Sequence, residues 1–268
     1  MKTKKTNRYG NGLKKFGLCA FTAALISVNV CQPYIYPVYA DDVQEESSAQ
    51  AEIETMYIST VDDFLEFAAN CYIDSWSVNK KIVLRNNLDF TGRELVMVPV
   101  FAGEFDGNGH TISGIDFTGE SYVTAIFRYV EENGVIDSLN VKGNIAALDE
   151  QECVGGIVGS NYGTIKNCSF EGTVNGKNTI GGIAAFNKST GVIKKCEVRG
   201  RITGSYYTGG ITGINHGIIN NCANAAGIND DSAWVESEDE NSSNIIGNIT
   251  GNESSSIRSG IDTGGISG

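Results

Sequence analysis

The chain repeats itself, and that repeat limits its fold more than anything else. Aligned on a turn glycine, "GVIDSLNVKGNI" starts at Gly134, "GTIKNCSFEGTV" at Gly163, "GVIKKCEVRGRI" at Gly191 and "GIINNCANAAGI" at Gly217, at spacings of 29, 28 and 26 residues. Upstream, "HTISGIDFTGES" fits the same frame with His110 in the glycine slot. Two residues after the slot stands isoleucine every time (Ile112, Ile136, Ile165, Ile193, Ile219), and five after it stand Ile115, Leu139, Cys168, Cys196 and Cys222. Position +7 holds Phe117, Val141, Phe170, Val198 and Asn224, and +9 is glycine until Ala226.

From +5 onward these residues alternate with polar ones, the period of a strand with one buried face. The three-residue step from +2 to +5 breaks the alternation and predicts a bend. A second block, "VGGIVGSN", "IGGIAAFN" and "TGGITGIN", places Asn161, Asn187 and Asn215 in equivalent turns. Each copy is a few short strands, too small to bury its own apolar side. Stacking successive copies closes a continuous core, so the expectation is a solenoid, with coils ~4.8 Å apart.

"GGIVGSNYGTIKNCSFEGTVNG" resembles the GLUG repeat of bacterial exported and surface proteins, and "NNLDFTGRELVMVPVFAGEFDGNGHTISGIDF" (87–117) is similar to the segment that leads into such repeats. The likeness covers roughly residues 57–228 and resumes at "TGGISG" (263–268). It implies an all-β fold, a right-handed parallel β-helix of the pectate-lyase-like kind with about five or more coils. "TVDDFLEFAANC" (60–71) carries Phe64, Leu65, Phe67 and Ala68 on one face and reads as a short N-terminal capping helix over the first coil.

The remaining organisation follows from composition. Residues 1–40 join six basic residues, an apolar run and a small-residue ending at Ala40, the layout of a secretory signal peptide cut after Ala40. The apolar run, about fifteen residues, is short for a bilayer span, and Val30 argues against a lipid anchor at Cys31. Cleavage takes the formal charge from −12 to −18, which disfavours nucleic acid and anionic membrane surfaces. Residues 41–56 read as an acidic linker and 57–117 as the cap and first coil. Residues 118–228 read as the GLUG-type repeats, 229–262 as an acidic Ser/Asn-rich insertion or degenerate coil, and 263–268 as the start of a further, truncated repeat. The chain is thus expected to be a fragment, continued by further repeats or domains.

After cleavage five cysteines remain, Cys71, Cys153, Cys168, Cys196 and Cys222, an odd number that argues against a complete disulfide framework. A column that accepts Leu139 and Ile115 as well as cysteine is an apolar slot, not a ligand set. His110 and His216 lie in turns about four coils apart, too far to share a metal, and no HExxH occurs. Asp106 in "FDGNG" reads as a turn-shaping residue. Lys142, Glu171 and Arg199 at +8 form a solvated charge ladder. Asp230, Asp231, Glu236, Glu238, Asp239 and Glu240 lack EF-hand spacing and read as an acidic loop. No catalytic, cofactor or metal residue is assigned; Trp234, inside that loop, is the one candidate contact residue.

The expected function is a non-catalytic repeat module of a secreted or cell-surface bacterial protein, serving adhesion or ligand presentation towards a host or cell-surface protein or glycan, with no membrane insertion after cleavage. Two alternatives stand beside it. One is the non-catalytic forepart of an IgA1-protease-type zinc peptidase whose catalytic domain follows residue 268. The other is a carbohydrate-active β-helix enzyme.

Overall fold

The computed structural model describes residues 53–148 and 153–229, with the backbone of 250–253, 257–258 and 261–262. The expected signal peptide, most of the linker, Trp234 with the acidic residues around it, and residues 263–268 lie outside the described residues. Among those described, the strands form four stacks of parallel strands, wound as a solenoid of about six turns.

One coil shows the path. Val135–Asp137 lies in the first stack, Asn140–Ala147 in the second, Cys153–Gly155 in the third and Val158–Asn161 in the fourth. Thr164–Lys166 then returns to pair in parallel with Val135–Asp137. The bend expected between +2 and +5 is the corner between the first and second stacks. There Ser138, Asn167, Lys195 and Asn221 all hold φ of 53°. Asparagine tolerates this left-handed backbone best among residues with a Cβ, which is why "KNC" and "NNC" recur at the corner. The "GGI" blocks form the corner between the third and fourth stacks, with Ile157, Ile183 and Ile211 fully buried. Glycine at +9 has a steric reason. Gly172 has φ 145°, and a Cβ there would lie 1.9 Å from the Gly143 carbonyl oxygen of the coil before.

The helix forms as expected, over Val61–Asn70. Thr60 caps it: its hydroxyl accepts from the Asp63 amide, while the Asp63 carboxylate accepts from the amides of Ser59 and Thr60. The Ser59 amide foremost, then the Thr60 hydroxyl and amide, hold the Asp63 carboxyl below its usual range. Phe64, Phe67 and Ala68 are buried and Leu65 packs beside them. Phe67 stacks against Phe64, Trp76, Phe101, Phe105 and Phe127, with ring centroids 5.7 to 6.4 Å apart. The helix therefore plugs the N-terminal end of the core with aromatic rings, while smaller Ile, Val, Leu and Cys fill most of the shaft beyond.

Two details differ from the sequence reading. The first strand begins at Glu54, inside the stretch read as linker, and pairs with Lys80–Leu84. The stack thus starts a full coil ahead of the copy at His110: Lys80–Leu84, Leu88–Asp89 and Val98–Phe101 already occupy three of its walls.

That copy itself is out of register. The Val135 amide bonds to Gly103 O as the Thr164 amide bonds to Gly134 O, so Gly103 holds the glycine slot and Phe105, not Ile112, stacks on Ile136. Ile112 pairs with Val141 and Ile115 with Gly143, across a bulge. The turn 107–110 is longer than its counterparts. Within the strand, the slip this causes is an even number of residues, so the alternation survives it and gives no warning.

Of the two readings given for 229–262, insertion or degenerate coil, the later part of the segment follows the second. Thr250–Glu253, Ile257–Arg258 and Ile261–Asp262 pair in parallel with the coil before them.

Candidate functional site

The cysteine column is core. Cys168, Cys196 and Cys222 are free thiols, at most 2% exposed, in the row of the fully buried Leu139. Ile115 is no longer a precedent for that row, since it pairs with Gly143. Each thiol donates weakly to carbonyls at the corner: Cys168 to Lys166 O at 3.1 Å, Cys196 to Lys194 O at 3.4 Å, and Cys222 to Asn220 O at 3.6 Å. Burial pushes the Cys196 thiol well above its ordinary pKa. The hydrogen bond with Cys196, together with burial, does the same for Cys222. At the helix end, burial pushes Cys71 up to about 12. Thiols held protonated in this way are poor nucleophiles and poor ligands. Replacing Cys168 with leucine, the larger residue this row carries at Leu139, is expected to cost no more than about 1–3 kcal/mol, the range for adding volume to a packed core. Urea unfolding with a larger loss would contradict the packing account.

The other candidates are kept apart by the fold. His110 falls in the register row of Leu139 and the cysteines, because the Asn140 amide bonds to His110 O as the Ser169 amide bonds to Leu139 O. Its ring is half-buried, 3.3 Å from Asn87 Oδ1. His216 is exposed, in a turn beyond the Thr212–Asn215 strand. Asp106 shapes its turn as expected, accepting from the Asn108 amide at 2.9 Å, and also meets Lys81 at 3.3 Å. The +8 row exists: Lys142 pairs with Glu171 and Glu171 with Arg199 in register. Lys142 bonds Glu171 at 2.7 Å, while Arg199 reaches Glu197 on its own strand. On Asp137, burial alone would raise the pKa. Hydrogen bonds from Asn167, Lys166 and Ser138 outweigh that and hold it below the carboxylate range. Among the described residues, no three His, Cys, Asp or Glu side chains are grouped to hold a metal ion.

Two features escaped the sequence reading. Asn161, Asn187 and Asn215, read as turn residues, are fully buried and form a ladder. Asn161 Nδ2 donates to Asn187 Oδ1 and Asn187 Nδ2 to Asn215 Oδ1, each at 2.8 Å. The recurring Asn at the end of each "GGI" block was the available signal, but recurrence alone does not separate a turn from a ladder.

The second feature is an outer corner between the third and fourth stacks. Val123, Cys153 and Ala185 form a small cluster separate from the main core, with Tyr129 and Phe186 packed on it. Gly159 permits this closeness, since a Cβ there would lie 2.1 Å from Val123 Cγ1. Along its rim, the Arg128 guanidinium lies 5.2 Å from the Tyr129 ring. Lys188 Nζ lies 4.1 Å from the Phe186 ring and 6.0 Å from Tyr162. Burial lowers the Lys188 pKa.

Comparison with known proteins agrees with this architecture. The GLUG motif matches residues 150–175. Halomucin of Haloquadratum walsbyi is 38% identical over 85 residues, which is 31% of this chain and 1% of halomucin. A protein assigned as a Gly-rich membrane protein, from Evansella cellulosilytica, is 35% identical over 74 residues, 26% of this chain and 8% of that protein. Among solved structures, a protein assigned as an immunoglobulin A1 protease, from Bacteroides ovatus, superposes with a TM-score of 0.52 at 19% identity, over 65% of this chain and 60% of that one. The chain thus spans less than two thirds of each of these proteins, and the structural likeness concerns the fold alone.

Proposed function

Starting from a GLUG-repeat parallel β-helix, we propose that this chain is a non-catalytic repeat module of an exported or surface-displayed protein, and that it presents binding surfaces along its coils. The observation that carries this reading is the use the fold makes of its recurring polar and thiol residues. Cysteines fill the core row, asparagines form the buried ladder, and charges pair between neighbouring coils. Residues committed to coil-to-coil contact serve the stack rather than a reaction, and stacked coils leave long outer faces for partners. The similarity to halomucin and to the Evansella membrane protein supports a surface or extracellular setting, as does the leader-like layout of residues 1–40.

The test is fractionation of the producing cell with protease shaving, beside assays of the purified chain on uronate polymers and immunoglobulin. Surface or medium recovery without turnover supports the reading, and turnover of either substrate sinks it. The Bacteroides neighbour favours a second reading, in which the module precedes a peptidase domain. An HExxH motif encoded downstream of Gly268 would support that version.

A further inference from the structure

The outer face of the fourth stack carries a feature that stacking does not require. We propose that Arg128, Lys188 and the rings beside them form a binding site for an anionic polysaccharide, one whose sugars bear carboxylate or sulfate groups. This deepens the ligand-presenting reading and rests on it.

Tyr129, Ser160 and Phe186 follow one another in a single row of consecutive coils. The small Ser160 is 3% exposed between the two half-buried rings. The rings therefore stand two coils apart, ~10 Å, each with a cation beside it. Aromatic faces flanked by cations suit a sugar chain, whose C–H faces stack on rings while its acidic groups meet the cations.

Among the described residues, neither cation is neutralised by a carboxylate, a state they share with Arg85, Lys194 and Lys195, but unlike those they stand beside one outer row of rings. Lys80, Lys81, Arg93, Lys142, Lys166 and Arg199 each pair with a carboxylate. Arg128 and Lys188 form no ion pair among the described residues, in a chain with 32 acids to 20 bases. Arg128 Nε is buried with no hydrogen-bond acceptor, a state that native proteins seldom leave unfilled. An oxyanion at the guanidinium or the ammonium would meet a cation that no carboxylate neutralises, and charge complementarity thus selects an anionic partner.

A sugar chain fits better than an acidic peptide. Extended peptides gain much of their affinity by adding main-chain hydrogen bonds to a strand edge, and here neighbouring coils already use them on both sides of these strands. The cationic stretch is also short. Glu131 follows the Phe127–Val130 strand as Tyr162 and Lys188 follow theirs, two coils before Lys188, and it bounds the cationic stretch.

Isothermal titration of the full chain tests the site, using hyaluronan oligosaccharides (carboxylate), heparin oligosaccharides (sulfate and carboxylate), neutral dextran and poly-L-glutamate. Hyaluronan or heparin is expected to bind and dextran not, and their ratio tells carboxylate from sulfate. Lys188→Gln and Arg128→Gln are each expected to weaken binding about tenfold. Phe186→Leu, which keeps the apolar contact but removes the ring, should weaken it too. Lys142→Gln, on the paired ladder, should leave it unchanged, and circular dichroism checks that all variants fold. Absence of binding to either anionic glycan, binding unaffected by Lys188→Gln and Arg128→Gln, or binding to polyglutamate alone would overturn the site while leaving the surface-module reading standing. New reducing ends on a bound glycan would sink the non-catalytic reading instead.

Discussion

Replacing Phe67 with alanine is expected to cost about 3–5 kcal/mol, the range for removing a large buried aromatic side chain. Phe67 is fully buried and meets five other aromatic rings from the helix, the turn after it and the first coils. The short helix offers little stability of its own and depends on packing its apolar face. Because each coil of a solenoid contacts only its neighbours, the damage should concentrate at this end. Urea unfolding measures the cost, and hydrogen exchange should show the helix and the 80–101 coil losing protection before the coils beyond Thr164. A cost under 1 kcal/mol, or a uniform loss of protection, would mean that the helix is an ornament rather than a plug.

The second large effect is expected at the middle of the asparagine ladder. Asn187→Leu deletes both Asn–Asn bonds at once and strips a partner from Asn161 Nδ2 and from Asn215 Oδ1. With each buried loss worth ~1–3 kcal/mol, the substitution should destabilise the chain by roughly 2–5 kcal/mol, although leucine is apolar and close in size. Asn161→Leu removes only one ladder bond and should cost distinctly less. Asn161 opens the ladder because Val130, its register partner in the preceding coil, offers no side-chain hydrogen bond, and its Oδ1 has no donor. Thermal or urea unfolding of the two variants gives the order. Equal costs would show that size, not hydrogen bonding, sets the effect.

The bend at the first corner was legible because three residues cannot continue a two-residue alternation, and the structure turns there with a left-handed residue in four coils. The helix was legible from the apolar spacing of Phe64, Phe67 and Ala68. The outer-face cations were not, because Arg128 and Lys188 look like any other base in the sequence. What distinguishes them is that the register sets them beside one outer row of rings with no carboxylate in reach among the described residues, and ion pairing across coils joins residues more than twenty positions apart, as in Lys142 with Glu171 or Lys81 with Glu104.

By itself, then, the sequence determined a solenoid of stacked short strands, its N-terminal capping helix and the packing role of Cys168, Cys196 and Cys222. All of these depend on periodicity and on local backbone preference, which are written along the chain. Tertiary structure alone decided that Gly103 rather than His110 holds the glycine slot, that Asn161, Asn187 and Asn215 join in one buried ladder, and that Arg128 and Lys188 stand without acids. Register past a lengthened turn, burial of a polar side chain and the pairing of charges are settled between coils, through space, where an even slip leaves the one-dimensional pattern unchanged.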